Sequence, residues 1–443
     1  MRKRTVKPLL PALPPRLPSL IPPLLLAVSL CSFAALCLLQ RAPMADLLVY
    51  RAEGAAAFHG GDLYGFAATR WRLPATYPPF AAALFIPTAW MPVPALKTVF
   101  LAGNALLLAG LVSLSARLAS QPPPLPPRRS PPRHRPPPPR RSPPRHRPLP
   151  PHRPLLPPGP LTPAFPHGSP LHPSLLCTAT ALTLWLEPVF QTFLFGQINL
   201  AVTCLVLWDL TRPPGARGKG LVLGLATGVK LTPAIFIAYL LLRGRIREAA
   251  TATAAFTATV LLGTLLLPAA SAEYWTRRLY ETGRVGKVWI VDNQSLQGLI
   301  ARALHDPAPG PCWILPAVAL GAAGLFLAAR ARQDSHGILL TAFTALLISP
   351  ISWSHHWVWC VPLLAVLLAD GRPRLAAATA AVFTARTFWL VPHQGDGDLR
   401  LPWWQQPLAS PYPLLGLALL AGAALTVAQP VPSARMSSAS TIR

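Results

Sequence analysis

Acidic side chains are scarce in this chain. Its 443 residues hold 14 Asp and Glu against 40 Lys and Arg, and charged residues of either sign make up only 12%. A soluble domain carries about 25% charge, so this composition excludes an ordinary water-soluble protein. Also missing are a Walker A sequence, a G-x-G-x-x-G turn and an H-E-x-x-H pair. Their absence leaves no signature of a nucleotide-binding fold or a zinc peptidase. The six cysteines (Cys31, Cys37, Cys177, Cys204, Cys312, Cys360) are scattered. No pair has zinc-ligand spacing, and as small apolar residues in or beside apolar runs they read as packing.

What is abundant is apolar. Hydrophobic residues make up 52% and the mean hydropathy is +0.41. Runs of membrane-spanning length recur from Leu20 to Val427. Only helices or closed barrels satisfy their backbone groups in lipid, and these runs have helical length, so the class is an all-α polytopic membrane protein. The net charge of +26 does not mark a nucleic-acid partner. Nine arginines sit in residues 121–173, and much of the remaining positive charge lies in short connections beside apolar runs. That is the positive-inside distribution, not a face that tracks phosphates.

Orienting the runs by their basic flanks gives an ordered set of segments. Residues 1–19 form a basic cytoplasmic tail, MRKRTVK at its start. The run 20–40 reads as an uncleaved first span, too long for a signal peptide. A polar loop, 41–77, is expected next on the outer side, then a short proline-rich re-entrant or interfacial helix, 78–92, then an inward span, 95–117. The first helices and this loop make up 20–120. Residues 121–173 hold two copies of RRSPPRHRP and no acidic residue. Such a composition predicts a disordered or polyproline-like cytoplasmic insert, either an incidental insertion or a segment that binds anionic lipid headgroups. The body, 174–430, continues with spans near 174–190, 197–211, 249–270, 312–330, 337–351, 357–369, 373–391 and 412–429. A hairpin is expected over 220–242, because Lys219 and RGRIR flank it and GVKLTP interrupts it. A polar loop is read over 271–311, and a cytoplasmic tail closes the chain at 431–443.

This orientation collects the unusual polar residues at one face. Asp46 sits at the membrane boundary, where a carboxylate against an apolar wall can serve as a general base or be an ordinary interfacial acid. Tyr50 and Tyr77 follow in the same loop. Glu187, Gln191, Gln197 and Asn199 alternate with apolar groups in EPVFQTFLFGQINL, the residue types that recognise sugar hydroxyls or cap helices. Asn293 and Gln294 lie in VDNQSLQG. Arg302 and the hairpin's Lys230 are the two phosphate candidates. His355 and His356 stand in SPISWSHHWVW, with Trp353 and Trp357 expected to frame them at the interface. A D-x-D at Asp396 and Asp398 has the spacing of a metal-binding motif, but in a Gly-rich loop that spacing alone carries little, and no metal is expected.

Six stretches in this order carry a resemblance: DLLVYRAEG with DLY, TYPPFAAALF, EPVFQTFLFGQINL, GLATGVKLTPAIF, NQSLQG and SPISWSHHWVW. Together they resemble glycosyltransferase family 87, the polyprenol-phosphate-mannose-dependent α-mannosyltransferases of actinobacteria, over nearly the whole chain except the insert. The resemblance implies a C-type glycosyltransferase (GT-C) fold with about 10–13 membrane helices, short or re-entrant ones included. It implies transfer of mannose from a β-linked polyprenyl phosphate to a lipid or glycan acceptor, with inversion, at the extracytoplasmic face of the cell membrane. Asp46 falls on the base position, and His355 and His356 on the histidine pair. No cofactor is expected beyond the lipid-linked donor. The rival readings are another GT-C lipid-linked sugar transferase, a polysaccharide ligase, or a secondary transporter; for the last, no inverted repeat is visible.

Overall fold

The computed structural model describes residues 17–40, 42–121, 171–392 and 396–428. Most of the N-terminal tail, the 122–170 part of the insert and the C-terminal tail lie outside the described residues. Among the described residues the chain is all helix and connection, with two isolated β-bridges and no strand. It is an all-α polytopic membrane protein.

The helices, in chain order, are α1 Leu17–Leu39, α2 Ala45–His59, α3 Pro79–Ala89, α4 Val93–Ala119, α5 Pro173–Thr183, α6 Glu187–Phe195, α7 Asn199–Leu210, α8 Leu221–Val229 and α9 Ile235–Leu242. They continue with α10 Ile246–Leu266, α11 Pro268–Thr276, α12 Leu296–Leu304, α13 Pro311–Arg330, α14 Asp334–Ile348, α15 Cys360–Ala369, α16 Pro373–Ala385, α17 Gln406–Ala409 and α18 Pro411–Ala428. Among the described residues four helices are long and apolar enough to cross a membrane: Leu20–Leu39 within α1, α4, α10 and α13. Two bent pairs raise this to as many as six. One pair is α5 with α6, bent by 77°. The expected single crossing over 174–190 is therefore broken; Pro188 in the first turn of α6 lacks the N–H and carries the ring that would clash in a continuing helix.

The 220–242 segment is a hairpin, as its flanking charges predict. Lys219 pairs with Glu248 at 3.6 Å, and just past the other end Arg243 and Arg245 both pair with Asp334. Both ends of the hairpin thus lie at one end of the bundle, with Lys230 at its turn. Gly220, Gly224 and Gly228 let α8 lie directly on α10: a Cβ at Gly224 would stand 2.3 Å from the Ala252 carbonyl oxygen. Small residues at four-residue spacing permit such close backbone approach in membranes.

Two loops are more ordered than the sequence suggests. The 41–77 loop contains α2, which packs on α3 so closely that a Cβ at Gly54 would meet the Phe85 carbonyl oxygen at 2.2 Å. The 271–311 loop contains α12 and most of α11. Trp357 is not an interfacial frame. It is fully buried, its ring 5.6 Å from both Phe343 and Tyr412, because the turn Ser354–Trp359 packs into the core before α15 begins.

Candidate active site

Asp46 lies in the first turn of α2, just after Met44, whose left-handed backbone (φ 45°) redirects the chain leaving α1. Tyr50 and Glu53 follow at offsets of four and then three residues, so all three side chains share one face of the helix. Tyr50 stacks on Phe85 with ring centroids 4.7 Å apart. Its hydroxyl lies 3.0 Å from that of Tyr77 and donates to Gln197 Oε1 at 2.9 Å. Gln197 follows Gly196, whose φ of 69° ends α6. With its carbonyl oxygen engaged by the tyrosines, the Gln197 side chain also hydrogen-bonds the Asp46 carboxylate.

Burial pushes the Asp46 carboxyl up to about 6, against the opposing pull of the Gln197 hydrogen bond and the Lys230 ammonium. The group is thus ionised near neutrality yet close enough to that range to accept a proton, as a general base requires. Glu53 was not foreseen. It is fully buried, accepts the Thr76 N–H at 3.0 Å, and is pushed up to about 8 by burial, partly offset by the Thr76 and Tyr77 amides. Its signal in the sequence was the helical spacing behind Asp46 and Tyr50.

Lys230 reaches the same place from the hairpin turn. Its ammonium donates to Asn199 Oδ1 at 2.7 Å, lies 3.3 Å from His356 Nε2, and sits 5.7 Å from the Tyr77 ring centre. Asn199 in turn donates from Nδ2 to the His355 carbonyl oxygen at 3.0 Å, which also accepts from Thr192. The structure therefore brings together Asp46, Tyr50, Tyr77, Gln197, Asn199, Lys230, His355 and His356. The histidines differ. His356 faces the ammonium, whereas His355 is buried with its ring against Phe195 at 5.5 Å. Unequal effects follow: His356→Ala should slow turnover at least about tenfold by freeing Lys230, while His355→Phe, which keeps the ring packing, should lose less. Steady-state rates at matched membrane levels check this; equal losses would contradict it.

A small, partly open pocket lies beside this cluster. Asn199, Lys230, Ser352 and His356 line it, together with the apolar side chains Val202, Val206, Phe236, Ala345 and Leu346 from α7, α9 and α14. Polar groups and an apolar wall in one slot between helices suit a ligand with a charged head and a hydrocarbon tail.

The other predicted residues serve elsewhere. Glu187 accepts from Ser354 at 2.7 Å and from Tyr412 at 2.6 Å, bracing the histidine turn from behind. Gln191 is buried beside it on α6, its Oε1 without a partner among the described residues. Asn293, Gln294 and Arg302 depart from the expected substrate-binding role. Asn293 joins the outer loop to the 350–352 strap, donating to the Val288 and Pro350 carbonyl oxygens and accepting the Ser352 N–H. Gln294 donates to the Val291 and Ala409 carbonyl oxygens. Arg302 is fully buried and spends its guanidinium on the carbonyl oxygens of Trp289, Ile290 and Asn293 and on Ser410 Oγ. Buried polar groups must be paired, and apart from Arg302 Nε, which has no partner among the described residues, these are paired with the protein itself. Asp396 pairs with Lys287 at 2.7 Å, and Asp398 accepts the Val291 N–H. Among the described residues no group of three or more His, Cys, Asp or Glu is arranged to hold a metal ion.

The model of glycosyltransferase family 87 matches residues 75–350, more than half of the chain. A polyprenol-phosphate-mannose-dependent alpha-(1-2)-phosphatidylinositol mannoside mannosyltransferase of Mycobacterium tuberculosis is 32% identical over 86% of this chain and 84% of its own length. A polyprenol-phosphate-mannose-dependent alpha-(1-2)-phosphatidylinositol pentamannoside mannosyltransferase of the same species is 34% identical over 74% of this chain and 67% of its own. A phosphatidylinositol mannoside enzyme of Mycolicibacterium smegmatis with the same name as the first is 31% identical over 85% and 82%. No solved structure matches the chain.

Proposed function

The chain belongs to glycosyltransferase family 87, and from that premise we propose that it moves mannose from polyprenyl-phosphate mannose to a phosphatidylinositol mannoside or related glycan, forming an α-linkage with inversion at the extracytoplasmic face of the cell membrane. The observation that carries this reading is the slot beside Lys230. Its polar lining fits the donor phosphate and its apolar wall, among membrane helices, fits the polyprenyl chain.

In the proposed reaction the acceptor hydroxyl attacks the anomeric carbon as its proton passes to the Asp46 carboxylate. The bond between that carbon and the phosphate oxygen breaks, and its electron pair leaves on the polyprenyl phosphate. Lys230 meets the charge that grows there, with Asn199 and His356 holding the ammonium in place. Tyr50, Tyr77 and Gln197 fix the base and offer hydroxyl and amide groups to the sugar. A β-linked donor attacked from the opposite side gives the α product. The basic loops at the hairpin's flanks support a cytoplasmic position for that end of the bundle, and the cluster around Asp46 then faces outward.

Membranes containing the protein, supplied with labelled polyprenyl-phosphate mannose, should place label in a solvent-extractable glycolipid from which α-mannosidase releases it. Substituting Ala345→Trp should raise the donor KM more for a long-chain donor than for a short-chain one. Label recovered only as free solute inside vesicles would point to a carrier instead.

A further inference from the structure

Arg386 has no place in the site described above, and its surroundings are unusual. It ends α16 in a left-handed conformation, φ 50°, which side chains other than glycine adopt at a cost. Its guanidinium carbon lies 4.1 Å from the ring centre of Phe190 and 4.7 Å from that of Trp389. No hydrogen bond or ion pair joins its guanidinium to another described residue. Glu187 is close enough to act on it electrostatically, but both oxygens of that carboxylate are engaged by Ser354 and Tyr412. The two ring centres stand 6.5 Å apart and so flank the guanidinium roughly at a right angle, and neither contact is a hydrogen bond to its N–H groups.

Its depth adds to this. Phe190 packs in turn on Phe33 of the α1 span at 5.1 Å, which sets the arginine against the membrane-spanning body. A cation at membrane depth marks a ligand or an ion path by default. Beside it, Leu390 is 78% exposed, an apolar surface of the kind that meets acyl chains.

We propose that Arg386, walled by Phe190 and Trp389, binds the phosphodiester of the acceptor lipid. This rests on the reading that the acceptor is built on a phospholipid. The two lipid substrates then take separate flanks of the Ser354–Trp359 turn. Donor phosphate meets Lys230, which touches His356; acceptor phosphate meets Arg386, beside the Glu187 that holds Ser354. The acceptor's mannose is directed to the cleft between them while its tails stay in lipid.

The test compares two acceptors in wild type and Arg386→Gln: a phosphatidylinositol mannoside and an alkyl mannoside lacking phosphate. A charge-assisted contact to phosphate predicts that the ratio of their KM values shifts by about tenfold against the phospholipid. An unchanged ratio would overturn the proposal, even if both rates fall together. A second measurement is independent of turnover. Purified wild-type protein should retain phosphatidylinositol through detergent exchange, detected by native mass spectrometry, and the variant should not. Equal retention would overturn the site. Displacement of the lipid by inorganic phosphate alone would assign the arginine to free anions and overturn the lipid assignment. If wild type uses neither acceptor but only it retains the lipid, the proposed reaction fails while the site stands.

Discussion

Asp46→Asn should lower the rate of transfer by about 10²–10⁴-fold, the range expected when a general base is removed. The substitution keeps size and hydrogen-bonding capacity, so Gln197 and the two tyrosines can stay in place, and the acceptor KM should change little. What is lost is a carboxylate that takes the acceptor's proton as the new glycosidic bond forms. The pH profile gives an independent check. Burial raises the carboxyl to about 6, so the base is ionised and competent above that pH and protonated below it. Wild-type kcat/KM should therefore fall as the pH drops through about 6, and the residual rate of the variant should lack that limb. Asp46→Asn turning over near the wild-type rate would remove the aspartate from the chemistry.

Lys230→Met should cost about 10²–10³-fold, the range seen when one preorganised donor to a developing anion is lost. Methionine fills similar volume in the hairpin turn but brings no charge to the leaving phosphate, and it leaves Asn199 Oδ1 without the ammonium. Because phosphate charge exists in the bound donor and grows as the bond breaks, the donor KM should rise and kcat should fall. Lys230→Arg, which keeps the charge in a larger planar group, should restore part of the rate. Unchanged donor KM and kcat in Lys230→Met would separate the hairpin turn from the phosphate.

Much of this site could be read from the sequence because membranes make polar residues conspicuous. A lysine inside GLATGVKLTPAIF has few roles open to it, and basic residues at both ends of that segment dictate a hairpin that carries it to the far end of the bundle. The histidine pair and Asp46 stood out for the same reason. Arg302, Asn293 and Gln294 misled for the converse reason. In a long outer loop their amides and charge look available, and only the fold shows that nearby carbonyl oxygens consume them. Trp357 was misplaced because a tryptophan near a span end looks the same whether it meets headgroups or packs on Phe343. The α2 helix was hidden in a stretch too polar to stand out by hydropathy, although Asp46, Tyr50 and Glu53 already carried its period. The bend between α5 and α6 was signalled by Pro188 and obscured by the apolar run on both sides.

The most direct test of the account is the choice of donor by the purified protein in lipid vesicles. Polyprenyl-phosphate mannose and a nucleotide-activated mannose, each labelled, are offered separately with a phosphatidylinositol mannoside acceptor. The account predicts α-linked label in the lipid product from the polyprenyl donor alone, lost when Asp46 is Asn. Label transferred from the nucleotide sugar, or no transfer from the polyprenyl donor by protein that is folded and correctly inserted, would contradict it.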